Sequence, residues 1–407
     1  MLSRPVSFVV AGAAGAATLT AASAPSPLYP VYQRLWGFSA FTLTVVFAVY
    51  VAALLVALLT AGSLSDRVGR RPVASGALIL LAVGMLLFVV ADGAGGLIAA
   101  RIVQGFAVGA ATGTITAMIL EAGPSPRLAS IVSSAVPSLG IAVGAVLAGA
   151  LVEYAPLPRQ LVFWVLGVVY LVIAGLVWLV PDSRGPDDRD PDGACPVAPR
   201  QSIARSLLPS AGLPPAVRPV FFALVPSIAA TWALAGLYLS LGSSVVGSVL
   251  GVHSHFVVGL VLGAFFAAGT AGTVVSAALP ERLREWFGYV TLFVGVVVTI
   301  AATLTSALPI YVIGSAIAGL GFGAAFRFAV NALGGAAPTE QRGQVFATMY
   351  IVSYVAFSVP ALAAGLAVER FGLEPTAVVY GAFEVALVLV ATGARLVELR
   401  PSAPRLA

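Results

Sequence analysis

The sequence predicts an all-α polytopic membrane protein with twelve transmembrane helices arranged as two parallel six-helix repeats. Three observations support this fold class: a mean hydropathy of +1.04, a series of long apolar runs, and a repeat that relates the two halves of the chain. Of the 407 residues, 60% are hydrophobic and 9% are charged, whereas soluble domains carry roughly 25% charged residues. A bilayer-spanning helix takes about 20 residues, so this length suits one helical bundle without a sizeable soluble catalytic domain.

Apolar runs alternate with charged or Pro/Gly-rich breaks along the whole chain. We place the spans at residues 6–30, 39–62, 72–91, 95–119, 129–152, 160–180, 218–246, 256–279, 288–307, 309–333, 343–367 and 375–396. The longest polar stretch follows the sixth span and is rich in Pro and Asp, which is typical of a solvated linker. The predicted domains are an N-terminal bundle, a cytoplasmic linker, a C-terminal bundle and a cytoplasmic tail, at residues 1–180, 181–217, 218–396 and 397–407.

A sequence repeat supports the division into two halves. In the fourth and tenth spans, Gly105-x-x-x-Gly109 recurs as Gly319-x-x-x-Gly323. The ends of the fifth and eleventh spans share a second motif, because Gly149-x-x-Val152-Glu153 recurs as Gly365-x-x-Val368-Glu369. The offsets are 214 and 216 residues, and each copy falls in the corresponding span, which indicates duplication. Parallel repeats of this kind place the substrate near the membrane midplane between the halves.

Arginine distribution predicts the orientation. With the N-terminus inside, the cytoplasmic loops hold sixteen of the 21 arginines and the outer loops hold three, so the positive-inside rule places both termini in the cytoplasm. Within the first span, Arg4 and the apolar run after it lead to Ala22-Ser23-Ala24, which resembles a signal-peptide cleavage site. Pro25 follows directly and disfavours cleavage, so we expect an uncleaved first helix.

Several function classes are excluded or disfavoured by residue content. The net charge of +5 comes from arginines scattered over short loops, so we expect no nucleic-acid partner. Cys195 is the only cysteine, and His253 and His255 lie in a polar loop without a nearby acid, so we expect no metal site. A phosphate-binding Walker motif requires a lysine, and the chain has none. We therefore expect no cofactor. The energy source is then an ion gradient, with protons as the expected ion, or the gradient of the substrate itself.

The loop between the second and third spans carries the most specific motif. It has the sequence Gly62-Ser63-Leu64-Ser65-Asp66-Arg67-Val68-Gly69-Arg70-Arg71, which resembles the loop motif G-x-x-x-D-R-x-G-R-R of the major facilitator superfamily. The resemblance implies the major facilitator fold and an alternating-access transporter. It also implies that this loop acts as a conformational latch, with these functional residues: Gly62, Asp66, Arg67, Gly69, Arg70 and Arg71. The second half keeps only Glu281-Arg282 at the equivalent place.

Two further stretches compare with family motifs. Arg101-x-x-Gln104-Gly105 resembles the fourth-helix motif R-x-x-Q-G, in which the arginine is tied to proton coupling or substrate binding. The alternative is an arginine that extends to the outer interface, because Arg101 lies near the start of its span. The fifth span resembles the antiporter signature only in part: it keeps the helix-packing residues Gly140, Gly144 and Gly149, but Ala145 replaces the kink-forming proline.

Three polar residues deep in the second half are candidates for coupling or binding. Arg327 and Asn331 stand one helical turn apart in the tenth span, and the alternative for Arg327 is extension to the inner surface. Glu384 lies near the middle of the twelfth span, where a carboxyl is a candidate proton carrier or a partner for Arg327. A structural role for Glu384 remains open, since the last helix of each half is usually peripheral in this family.

Aromatic and hydroxyl side chains provide candidates for the cavity lining. Tyr350 and Tyr354 are spaced i, i+4 and share one helix face. The remaining candidates lie in the first and seventh spans, and they are Thr18, Thr231, Trp232 and Tyr238. Aromatic belts form at membrane interfaces, so we assign Tyr29, Tyr32 and Trp36 to a belt.

The predicted function is secondary active transport by alternating access. The segment Pro25-Ser26-Pro27-Leu28-Tyr29-Pro30 resembles bacterial exporters of drugs and small molecules, so we expect proton-coupled efflux, by antiport, of an amphipathic compound, as in multidrug resistance. The expected protein is a non-enzymatic monomer in the bacterial cytoplasmic membrane. Two alternatives stay open: an uptake symporter for an organic anion or sugar, favoured by Arg101 and Arg327, and a non-transporting membrane sensor.

Overall fold

Twelve apolar helices form the bundle in a computed structural model that describes residues 2–61, 65, 68–181, 212–338 and 341–398. Eleven helical segments of the described residues are long and apolar enough to cross a membrane, and the remaining apolar helix has 17 residues. We number them in chain order as α1 Arg4–Ser23, α2 Ala40–Ala61, α3 Arg70–Val90, α4 Ala94–Ala122, α5 Pro126–Tyr154, α6 Leu161–Val177, α7 Arg218–Ser240, α8 His255–Ala278, α9 Glu281–Leu304, α10 Leu308–Ala336, α11 Arg342–Phe371 and α12 Leu373–Glu398.

Helix ends follow the local sequence. Ser125 and Ser254 each accept a hydrogen bond from a backbone N–H three residues later, which caps α5 and α8. Gly37 ends the short helix Tyr29–Trp36 in the left-handed conformation. Gly69 adopts a φ of +103° just before α3, so the loop motif needs a glycine there.

The first span differs from the predicted continuous helix over residues 6–30. Helix α1 ends at Ser23, a 3-10 turn covers Ser26–Leu28, and a second helix covers Tyr29–Trp36. Proline removes a backbone donor and disfavours helical geometry in the residue before it, and this segment contains three prolines, which are Pro25, Pro27 and Pro30. The break turns Tyr29 into the protein interior, where it is fully buried.

Glycines set the closest helix contacts, and they do so at the repeated motif in both halves. A Cβ atom added to Gly105 or Gly109 of α4 would collide with a backbone carbonyl of α2, and one added to Gly319 or Gly323 of α10 would collide with a carbonyl of α8. Gly140 and Gly144 of α5 approach the backbone of α1 in the same way. The predicted duplication is thus matched by equivalent packing of the fourth helix on the second in each half, and the predicted fold class is confirmed.

The two halves meet through helix pairs α2–α11 and α5–α8. We call the side of the bundle where α1 begins and α12 ends the terminal face, and the other side the opposite face. Described hydrogen bonds between the halves lie mainly at the opposite face, where Ser26 donates to the carbonyl of Leu239 at 3.0 Å. One more, from Thr270 to the carbonyl of Ala135 at 3.4 Å, lies deeper. The hydrogen bonds at the opposite face close the bundle there, and among the described residues none joins the halves at the terminal face.

The glycine contacts give a direct test of the packing. We expect Gly105→Ala to lower the melting temperature, because its Cβ has no space against the Tyr50 carbonyl and overpacking costs about 1–3 kcal/mol. Gly113→Ala is the matched control on the same helix, since nothing lies within 4 Å of its added Cβ. Thermal unfolding of the purified protein in detergent measures both variants. Equal melting temperatures for the two would contradict the described α2–α4 contact.

Candidate functional site

Arg101 is fully buried inside the N-terminal half. Its Nη1 donates to Oε1 of Gln104 at 2.6 Å and to the carbonyl of Ala22 at 3.3 Å. Its Nε donates to the hydroxyl of Tyr29 at 2.9 Å, and Nη2 contacts the same hydroxyl. Gln104 continues the network, because its amide donates to the carbonyl of Ala21 at 2.7 Å. The guanidinium thus joins α4 to the end of α1 and to the segment beyond its break.

Three aromatic rings surround this guanidinium. The Arg101 Cζ atom lies 5.5 Å from the ring centre of Tyr29, 5.1 Å from that of Tyr50 and 5.9 Å from that of Phe88. No described carboxylate lies within salt-bridge distance of Arg101, so carbonyls, a hydroxyl and ring faces stabilise the charge. The side chain does not extend to an interface. Tyr29, which we assigned to an interfacial belt, is part of this buried network instead.

A second cluster lies in the C-terminal half and contains most of the predicted aromatic candidates. We define the aromatic cluster as Trp232, Phe326, Tyr350, Tyr354 and Phe357. Trp232 is its centre, with ring centroids 5.3 Å from Phe326, 4.8 Å from Tyr354 and 5.6 Å from Phe357. Tyr350 stacks on Tyr354 at 6.1 Å. The cluster therefore joins side chains from α7, α10 and α11 at mid-depth.

The aromatic cluster contains one unsatisfied donor and touches the other half. The indole Nε1 of Trp232 is buried and has no hydrogen-bond partner. Phe357 packs against Phe47 of α2 with ring centroids 4.8 Å apart. Tyr350, Phe326 and Trp232 are only partly buried. The cluster thus presents ring faces and one free N–H group at the interface between the halves.

Other predicted cavity residues point elsewhere. Thr18 and Thr231 are buried and donate to carbonyls of their own helices at 2.8 Å and 2.9 Å. Tyr238 donates to Ser315 at 2.6 Å and stacks on Phe265 at 4.1 Å, which places it in the packing of the C-terminal half. Asn331 is exposed toward the terminal face. The described ring contacts of the aromatic cluster do not include Tyr238, and the described hydrogen bonds of Thr18 and Thr231 stay within their own helices.

Glu384 is fully buried in α12, and both of its carboxyl oxygens lack a hydrogen-bond partner. Tyr380, one turn earlier, donates to the carbonyl of Ala233 at 2.7 Å and so does not satisfy the carboxyl. Arg327 forms no described salt bridge with Glu384, so the structure does not show the pairing with Arg327 that was one alternative for Glu384. Arg327 is partly buried, its Nη1 is buried without a partner, and another cation, Arg284, lies near it.

The terminal face of the N-terminal half holds the described part of the loop motif. Arg70 forms an ion pair with Glu121 at the end of α4. Arg71 lies beside it, and its Nε and Nη2 atoms are buried without a hydrogen-bond partner. These side chains and Arg4 line a cavity of about 250 Å³. The remaining motif residues named in the prediction, Gly62, Asp66 and Arg67, lie outside the described residues.

Sequence reasoning missed four aromatic members of these sites, one of which is Phe326 of the aromatic cluster. Tyr50 and Phe88 face Arg101, and Phe357 completes the aromatic cluster. An aromatic residue in an apolar span carries no signal of its own in the sequence. The i, i+3 spacing of Tyr354 and Phe357 on α11 was the one available indication, because residues at that spacing share a helix face.

Comparisons with known proteins agree with this architecture. A family model described as the Major Facilitator Superfamily matches residues 11–253. An Escherichia coli K12 protein named 3-(3-hydroxy-phenyl)propionate transporter is 35% identical over 141 residues, which are 34% of this chain and 34% of that protein. The chain thus matches about a third of the length of this relative. The crystal structure of a bacterial homologue of the human lysosomal transporter Spinster, in an inward-facing and unoccupied conformation, has a TM-score of 0.75, with 98% and 99% coverage of the two chains and 15% identity. That likeness shows the fold.

The Arg101 network gives a testable prediction. Tyr29→Phe removes the hydroxyl that accepts two guanidinium hydrogen bonds, and leaving a buried charged donor unsatisfied costs about 1–3 kcal/mol or more. We expect a lower melting temperature for Tyr29→Phe in thermal unfolding of purified protein. Tyr154→Phe is the control, because Tyr154 is 73% exposed. A Tyr29→Phe protein as stable as the control would show that the hydroxyl does not satisfy Arg101.

Proposed function

Because this chain belongs to the Major Facilitator Superfamily and is an alternating-access secondary transporter, we propose that it exports a small amphipathic aromatic compound in exchange for protons. The family consists of transporters and not enzymes, which favours transport over the alternative of a non-transporting sensor. The observation that carries the proposal is the buried indole N–H of Trp232, which has no acceptor among its surrounding rings. A bound substrate would supply that acceptor.

The aromatic cluster has the composition of a site for a compound with an aromatic ring and one polar group. Small-molecule sites are mostly apolar, with a few polar groups that fix orientation. Here the ring faces offer stacking and edge contacts, and the indole N–H offers one directed hydrogen bond. Phe357 also contacts Phe47 across the interface between the halves. A substrate bound here would lie against Phe357, and the packing of Phe357 on Phe47 must change when the two halves rearrange during alternating access.

Glu384 supports proton coupling. An unpaired charge is unfavourable at a buried site without hydrogen-bond partners, so a bound proton makes the carboxyl compatible with its surroundings. Release of that proton requires access to water or a partner, which a rearrangement of the C-terminal half would provide. A carboxyl that must change its environment in order to change its charge is suited to couple proton movement to a conformational cycle.

Orientation follows from the arginine bias. If the terminal face is cytoplasmic, as the sixteen arginines of its loops favour, the structure is closed to the outside. The described motif residues Gly69, Arg70 and Arg71 then lie at the cytoplasmic surface, and we propose that the loop motif at residues 62–71 acts as a latch for the opposite state of the cycle. The domain boundaries 1–180, 181–217, 218–396 and 397–407, the monomeric state and the bacterial cytoplasmic membrane location are parts of the same proposal.

Uptake of an aromatic organic anion by proton symport is the second candidate. The name of the 35%-identical relative favours it, since a hydroxyphenylpropionate combines an aromatic ring with a carboxylate. Arg327 also favours it, because the buried Nη1 of that side chain lacks a hydrogen-bond partner. Both candidates use the aromatic cluster and Glu384, and they differ in the direction of the substrate relative to the protons.

Trp232→Phe tests the binding site. We expect the variant to keep the ring contacts and to lose one hydrogen bond, which contributes about 0.5–1.5 kcal/mol and so weakens binding about two- to tenfold. Binding is measured as ligand-induced thermal stabilisation with hydroxyphenylpropionate and neutral phenyl alcohols of similar size. Trp164→Phe is the control, because Trp164 is 47% exposed on α6. Unchanged affinity of Trp232→Phe for every compound that stabilises the native protein would exclude this site.

Glu384→Gln tests proton coupling. In liposomes we expect this variant to lose transport driven by a pH gradient and to keep exchange of labelled for unlabelled substrate, because a neutral amide cannot carry the proton. Glu374→Gln, on the exposed start of α12, is the matched control and should keep both activities. Vesicles of each orientation, made with the native protein, also give the direction: accumulation in right-side-out vesicles would replace export by uptake. Full gradient-driven transport by Glu384→Gln would remove Glu384 from the coupling mechanism.

A further inference from the structure

At the opposite face, a glutamate from each half reaches the beginning of a helix in the other half. Glu153 ends α5, and its Oε2 accepts a hydrogen bond from the backbone N–H of His255, the first residue of α8, at 2.8 Å. The same oxygen lies 3.3 Å from Nδ1 of the His255 ring. Glu369 lies near the end of α11, and its Oε1 accepts from the backbone N–H of Phe41, in the first turn of α2, at 3.2 Å.

A glycine four residues before each glutamate brings the same helices together. A Cβ atom added to Gly149 would lie 3.1 Å from Cα of Gly259 on α8, and it would also collide with the His255 carbonyl. A Cβ added to Gly365 would collide with the side chain of Thr44 on α2. Close approach at the glycine and a hydrogen bond at the glutamate therefore occur together on both sides of the interface.

The two contacts are related by the internal repeat. Gly149-x-x-Val152-Glu153 and Gly365-x-x-Val368-Glu369 have the same spacing at an offset of 216 residues. Each lies on the fifth helix of its half, and each contacts the second helix of the other half. The repeated motif thus has a matching three-dimensional role, in which the two halves exchange equivalent contacts across the interface.

The electrostatics favour both contacts in the closed arrangement. The first backbone N–H groups of a helix have no partner within the helix, and the helix dipole makes that end favourable for a negative charge. A carboxylate from the other half satisfies one of those groups only while the halves are together at this face. A contact made in one state and absent from the other shifts the equilibrium toward the state that contains it.

We propose that Glu153 and Glu369 form a paired latch that holds the opposite face closed during the transport cycle. They are positioning residues, since neither touches the aromatic cluster or Arg101. This inference rests on the alternating-access cycle of the proposed function and is independent of the substrate and of the coupling ion. Because each contact joins a different helix pair, the opposite face can open fully only when both contacts have separated.

Distance measurement between spin labels tests the latch directly. Labels are placed at Arg159→Cys, after α5, and Thr305→Cys, after α9, in a Cys195→Ser background, and the protein is studied in lipid nanodiscs without substrate. We expect one dominant short distance in the otherwise native protein. With Glu153→Gln and Glu369→Gln combined, we expect the population at longer distance to rise at least about threefold, and each single variant should give an intermediate rise.

The matched control is Glu374→Gln, which removes a third exposed carboxylate from the same face and should leave the distance distribution unchanged.

A second measurement avoids purification and uses the substitution Ser240→Cys. Ser240 is fully buried behind the closed face, so the new thiol should react several-fold faster with a membrane-impermeant thiol reagent in the double variant. If the distances and the reaction rate both match those of the native glutamates, the latch does not exist. Neither measurement requires transport, so failure of the export or coupling proposals would leave this result unaffected.

Discussion

Close contact between helix backbones at glycine is the constraint on which the rest of this structure depends. Apolar side chains gain little from leaving lipid for a helix interface, so small residues that allow close packing determine which helices associate. Gly105 brings α4 against the carbonyl of Tyr50 on α2. Arg101 lies one turn earlier on α4, and this contact places its guanidinium over the Tyr50 ring. The position of the buried charge is thus a consequence of glycine packing on the same helix face.

Composition and repeats are sufficient to predict the fold class because both record physical requirements of the bilayer. Apolar runs of the necessary length reveal the spans, and the glycine motifs at Gly105 and Gly319 mark equivalent contacts in the two halves. The break after Ser23 was the largest departure, although the prolines that cause it are visible in the sequence. Its consequence was less predictable, because the burial of Tyr29 depends on where the turned segment meets α4.

Proximity of the candidate side chains could be predicted where residue type and helix face were enough. Tyr350, Tyr354 and Trp232 do come together, since i, i+4 spacing fixes the first two and α7 lies beside α11. Tyr238 instead donates a hydrogen bond to Ser315 of α10. No sequence pattern within α7 predicts that neighbour on another helix. Phe357 was missed for the same reason. Side-chain partners on distant helices depend on helix rotation, which a single apolar sequence leaves undetermined.

The two faces of the bundle carry different sequence motifs, and the repeat shows why this matters. The motif that ends in Glu153 and Glu369 is kept in both halves, whereas the loop motif around Gly69 lacks its glycines in the second half. Two equivalent contacts on different helix pairs resist rotation of one half about either contact alone. Since the states of an alternating-access cycle differ by small free energies, the contacts of Glu153 and Glu369 favour closure of the opposite face, the arrangement in which the structure is found.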